Sequence, residues 1–258
     1  MGTEEIINIF ALNQGTALKT TKVPKARFLE LPNITAAKRK LLSDEIEEVT
    51  LLAVFNSDTT NVLSVRTEEV VYEEVYFLHI ALKKDTHLGE LNQLLQQNIT
   101  NPTIIFYSLG DRLAMSVAPK RLSKNASGET VVDAYYLTDW LDPTQDEVTK
   151  FLATGAITNG SFMNLEKLYL DFASYVRHAE LLPFTKVLIV DRRREWDQLD
   201  TLLQNYRDIL RKIRLCMEEE RTHAAFGDKL SFRSKLVALE KEKEALILDV
   251  QALIEAGP

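Results

Sequence analysis

The chain has 258 residues, 45% of them apolar and 27% charged, with a net charge of −7. That is enough for one large domain or two smaller ones, and no apolar run nears the roughly 20 residues of a membrane-spanning helix. The acidic balance excludes a chain whose whole surface attracts polyanions. The single cysteine, Cys216, excludes an internal disulfide, so the expected compartment is cytoplasmic.

The opening MGTEEIINIFALNQ is acidic before it is apolar, the wrong order for a secretory signal. Residues 13–34 carry turn formers and little periodicity, and read as a loop or arm. ITAAKRKLLSDEIEEV (34–49) predicts a helix, with Leu41, Leu42, Ile46 and Val49 at roughly helical spacing. VTLLAVF is expected as a strand, and NVLSV as a second one after a turn. The run from Val75 to Lys83 is nearly continuously apolar and rich in strand formers, which suits a central strand covered on both faces. HLGELNQLLQQNI sets Leu88, Leu91, Leu94 and Leu95 on one helical face, and Pro102 stops it. Two strand-like runs around Gly110-Asp111 predict a hairpin. TVVDAYYLTDWL returns as a strand, while TQDEVTKFL and SFMNLEKLYLDFASYV are expected as helices. TKVLIVDRRR is either a last short strand or the lead-in to a long helix. Few strict βαβ units point to an α+β domain with a mixed sheet over roughly 1–187.

Residues 188–258 carry a different pattern. Trp196, Leu199, Leu203, Tyr206, Leu210, Ile213 and Met217 step by alternating threes and fours. So do Phe232, Leu236, Leu239, Lys243, Leu246, Val250 and Leu253, which is coiled-coil spacing. The first register continued past Met217 lands on Glu220, Ala224, Gly227 and Ser231, so one straight helix cannot carry both stripes. An antiparallel helical hairpin folded at Ala224-Ala225 pairs Met217 with Phe232, Ile213 with Leu236 and Leu203 with Leu246. Gly227 then ends the first arm. Lys243 falls opposite Tyr206, its stem along the ring and its ammonium reaching out. Pairing with a second copy of the chain, a homodimer, would bury the same stripe.

Catalytic signatures are scarce. His79, His87, His178 and His223 lack metal-ligand spacing, and no glycine loop cradles a phosphate. Neither a metal nor another cofactor is therefore expected, and His79 reads as a hydrogen-bonded residue of the central strand. Cys216 reads as a structural thiol. A metal-dependent nuclease would draw on Asp44, Glu73 and Glu74 with Lys83, although no acid stands two residues before that lysine. Nucleic-acid contact would use Lys22, Lys25, Arg27, Lys38 and Arg39, with Arg207, Arg211 and Arg214 on one face of the long helix. Base-stacking aromatics are missing from these stretches apart from Phe28.

TKVPKARF, FYSLGDRLAMSVAPKR, YYLTDW and the closing FGDKLSFRSKLVALEKE, in this order of elements, resemble the bacterial family called domain of unknown function 4391. The resemblance covers nearly the whole chain and departs locally, at AFGDKLSF. It implies a prokaryotic protein often encoded beside DNA methyltransferases and helicases in restriction-like defence loci, and it implies no reaction. The expected role is a non-catalytic accessory or assembly subunit of a DNA-targeting defence system, held by protein–protein contacts. The alternatives are a DNA-binding subunit and a nuclease.

Overall fold

The computed structural model describes residues 1–30, 34–123, 130–179, 182, 196–222 and 226–255. The chain divides into two compact units, Met1–Glu180 and Leu181–Pro258. The boundary expected near residue 187 and the run 185–194 lie outside the described residues.

The first unit is α+β. It opens with helix α1 (Thr3–Ile9), strand β1 (Leu18–Lys22), a single turn α2 (Ala26–Leu29), α3 (Ala36–Glu45), β2 (Ile46–Phe55) and the short α4 (Ser57–Thr60). A small ribbon, β3 (Val65–Arg66) and β4 (Val71–Tyr72), precedes β5 (Val75–Leu82), α5 (Leu88–Asn98), β6 (Thr103–Leu109) and β7 (Arg112–Val117). A second ribbon, β8 (Lys120–Leu122) with β9 (Thr130–Val132), is followed by β10 (Tyr136–Leu137), α6 (Asp146–Ala153) and α7 (Leu165–His178). The main sheet has the order β1-β2-β5-β6-β7-β10. Only β5 and β6 run parallel, joined by α5 as a crossover; the other neighbours are antiparallel.

One face of the sheet, with Val49, Leu78, Ile80, Ile105 and Tyr107, packs under Leu42 of α3 and Leu91, Leu94 and Leu95 of α5. The opposite face is aromatic: Phe10, just beyond α1, lies 4.6 Å from Phe106 of β6 between ring centroids, and Phe172 of α7 lies 6.1 Å from Phe106. This two-sided cover explains the unbroken apolar run of β5. In β2 an irregularity between Leu51 and Ala53 shifts the pairing against β5. Such a bulge breaks strict alternation, so VTLLAVF stays apolar without a period of two.

Several sequence expectations are corrected. The "arm" at 13–34 contains β1, held on β2 as an edge strand with all five residues exposed. Lys19, Lys22 and an irregular pairing blunt this edge, the usual defence against further strand addition. The helix expected over 34–49 stops at Glu45, because Ile46, Val49, Leu52 and Phe55 are claimed by the sheet core. NVLSV forms only an isolated bridge at Leu63 and the start of β3. TVVDAYYLTDWL is two short strands in different sheets.

The second unit is an antiparallel pair, α8 (Trp196–Thr222) against α9 (Phe226–Glu255). Leu203 and Val250 form one buried cluster, with Leu202, Tyr206, Ile247 and Leu253 around it. Ile209, Ile213, Cys216 and Leu239 form another, with Phe232, Leu236 and Leu246. Cys216 is thus a buried core thiol. Leu246, expected opposite Leu203, belongs to the second cluster, and Leu203 meets Val250 one turn further on.

The seam of α8 needs two corrections. Leu210 is 38% exposed while Ile209 is 2% exposed; Met217 is 53% exposed while Cys216 is 1% exposed. The apolar arc of α8 is wider than one residue per turn, and both of its edges keep steps of three and four. Spacing alone did not choose between them. The Leu199 side chain and the expected turn at Ala224-Ala225 lie outside the described residues. Gly227 lies inside α9 and does not end the first arm. Lys243 is half-buried at its seam position with its ammonium on Glu240.

Candidate functional site

The polar chemistry of the first unit gathers at the carboxyl ends of β5 and β6, beside the start of β2. In open α/β sheets this end of parallel strands is where ligands are usually held. On the aromatic face, His79 of β5 is buried, with Nε2 2.8 Å from Ser108 Oγ and Nδ1 2.9 Å from Thr3 Oγ1. Both ring nitrogens are therefore engaged, one donating and one accepting in the neutral ring. Burial pushes the imidazole down to about 4, helped by the positive chain amino group, which donates to the Gly110 carbonyl and lies 3.6 Å from Asp111. His79 stays neutral near pH 7 and ties α1 to two strands.

On the other face, Glu45 closes α3 with its side chain almost wholly buried. Its Oε1 lies 3.2 Å from His87 Nδ1 and 3.9 Å from Lys84 Nζ, and its Oε2 has no hydrogen-bond partner among the described residues. His87 is the N-cap residue of α5, without a side-chain cap bond, so the Glu45 carboxylate faces the positive end of that helix. Lys83 Nζ donates to the Ser43 carbonyl and Lys25 Nζ to the Ile46 carbonyl. Lys25, Lys83 and Lys84 therefore surround the start of β2.

The sequence matches the family described as Domain of unknown function (DUF4391) over residues 14–242. The chain belongs to this family. No curated protein and no solved structure matches it. The DUF4391 match spans the strands of the sheet end just described, though not Thr3 or the chain amino group, and most of the helical pair, and it supplies no residue roles.

The basic residues nominated from sequence fall partly in the first unit and partly in the second. Lys22 pairs with Glu48, whose carboxyl it holds below the usual carboxylate range. Arg27 is exposed on α2, Lys38 is half-buried in the first turn of α3, and Arg39 donates to the Leu29 carbonyl. Arg207, Arg211 and Arg214 are exposed on α8, where Arg207 bonds Gln204 at 3.4 Å. Arg233 of α9 pairs with Glu220 of α8.

The carboxylates nominated for a nuclease are not brought together. Asp44 and Lys83 stand at the carboxyl end of β5, while Glu73 and Glu74 stand at its start, about 25 Å away over eight strand residues. Glu73 is taken by Arg66 in a two-point pair, both bonds 2.7 Å. Glu74 accepts bonds from Asn56, Tyr76 and Asn101. Among the described residues no three His, Cys, Asp or Glu side chains gather as a metal site.

Sequence reasoning missed Glu45, Ser108, Thr3 and Lys120. Lys120 is buried, its ammonium shared by the carbonyls of Ile99 and Asn101 just past α5, and burial pushes it down to about 7. Only Glu45 left a trace in sequence: an acid standing where α3 gives way to the apolar start of β2.

Proposed function

We propose that this chain is a non-catalytic accessory subunit of a bacterial DNA-targeting defence assembly in the cytoplasm, and that α8 is its docking element. One observation carries the proposal. Leu210 and Met217, seven residues apart, lie exposed on one side of α8, and Arg207 and Arg214 stand three residues before each of them. Residues three and four apart are neighbours on a helix, so an apolar row is edged by a cationic row. Methionine and arginine are among the residues that protein interfaces enrich. An acidic, amphipathic partner segment matches this strip. The resemblance to a family often encoded beside DNA methyltransferases and helicases makes those the protein components to try first.

The test is co-purification of the tagged chain with any DNA methyltransferase or helicase encoded near it. Wild type is expected to retain one of them, and the Leu210→Asp, Met217→Asp double variant to lose it with unchanged helix content. Equal retention by the variant removes α8 as the docking element.

A DNA-binding role is a second reading, favoured by Lys25, Lys83 and Lys84 converging around the start of β2. It predicts a duplex-DNA shift that weakens steeply with salt. No shift at low salt counts against it.

A further inference from the structure

The helix α9 carries a second periodic stripe. Its seam residues Leu236, Leu239, Lys243, Leu246 and Val250 face α8. Val237, Lys241, Glu244 and Leu248 recur at steps of four, three and four, two residues out of phase with the seam. Two residues are about 200° of helix rotation, so this stripe lies opposite α8. Val237 and Leu248 are 56% and 65% exposed, and Lys241 and Glu244 are exposed as well.

We propose that a second copy of this chain packs on this face, α9 against α9, antiparallel about a two-fold axis. The stripe reads apolar, cation, anion, apolar, with its mirror centre between Glu242 and Lys243. An antiparallel copy sets Val237 against Leu248 of the partner subunit and Lys241 against Glu244 of the partner subunit. The two-fold axis makes each contact twice. One turn further out, the same register brings Ser234 opposite Gln251 of the partner subunit. A parallel, in-register copy would set Lys241 against Lys241 of the partner subunit, and like charges at such positions repel. The stripe is complementary to itself in both charge and apolar order, which is what an isologous contact requires. Its apolar contacts are few and lie at the two ends of the stripe, so the dimer is weak, with a Kd on the order of tens of micromolar. The contact uses α9 and does not rest on the docking strip of α8.

Sedimentation equilibrium of the full chain, over concentrations spanning that range, tests the pairing. Wild type is expected to move reversibly from monomer to dimer. Lys241→Glu and Glu244→Lys each set like charges together twice and should each weaken dimerisation at least about tenfold. An equimolar mixture of the two variants restores opposite charges at both contacts and should recover the dimer. Val237→Ser with Leu248→Ser should weaken association without any charge change, with circular dichroism confirming retained helix. A monomer at every concentration overturns the proposal. So does a dimer indifferent to all three variants, or a mixture that fails to recover association.

Discussion

The α8 seam is the place where spacing and structure disagree by one residue, so paired alanine substitutions at 209 and 210 separate them. Ile209 is almost fully buried among Ile213, Cys216 and Leu239, whereas Leu210 is more than a third exposed. Truncating a buried isoleucine removes its transfer free energy and leaves a cavity, at a cost of about 2–5 kcal/mol. Leu210 loses only part of a burial worth about 1.5–3 kcal/mol and opens no enclosed cavity, so about 1 kcal/mol or less is expected. For a unit of this size, 1 kcal/mol moves Tm by about 4–8 °C. Ile209→Ala should therefore lower the helical melting transition by about 10 °C or more, and Leu210→Ala by a few degrees. Thermal melts followed at the helical circular dichroism band, with urea melts as a check, read both. Equal losses, or a larger loss at Leu210, would refute the observed seam.

Four further outcomes follow from buried groups and from glycine geometry. The Lys120 ammonium titrates near 7 when folded against an ordinary 10.5. Its contribution is fully present above the unfolded value and lost as pH falls toward 7, at up to about 1.4 kcal/mol per pH unit. Stability from urea melts should therefore rise from pH 7 to pH 9, and Lys120→Met should flatten that slope; an unchanged slope rejects it. His79 titrates near 4 folded against 6.5, so its stabilisation is complete above pH 6.5 and lost as pH falls toward 4. His79→Gln should make stability less steep across that window, and equal acid sensitivity would show that other groups govern it. Gly15 has φ +51°, and a Cβ there would lie 2.2 Å from the Thr59 carbonyl oxygen. Gly15→Ala should cost about 2 kcal/mol or more, whereas Gly89, with open space around it in the first turn of α5, should gain up to about 1 kcal/mol as alanine. Reversed signs in denaturation would contradict both backbone assignments.

What was legible in the sequence had a period and a long run. The apolar stretch of β5, the leucine face of α5, the Gly110-Asp111 turn and the two heptad stripes each repeat one signal several times. The α+β class and the packed helical pair follow from those repeats. What failed depends on tertiary neighbours. β1 carries no apolar face of its own and exists because β2 offers a free edge. α3 ends at Glu45 because the following residues gain more as strand than as another helical turn. Leu210 and Met217 lost their seam places to Ile209 and Cys216, since the wide apolar arc of α8 satisfied either choice. The polar cluster at the strand ends was hidden for another reason. Thr3, His79 and Ser108 come from three distant segments, and only the parallel pairing of β5 with β6 and the docking of α1 join them.

Hydrogen–deuterium exchange on the chain mixed with a DNA methyltransferase or helicase, the proposed partner classes, tests the docking proposal most directly. Slowed exchange in α8 over residues 207–217, with the first unit unchanged, is the predicted result. Protection confined to the lysine-rich segment of residues 19–40, with α8 exchanging as in the isolated chain, would contradict it.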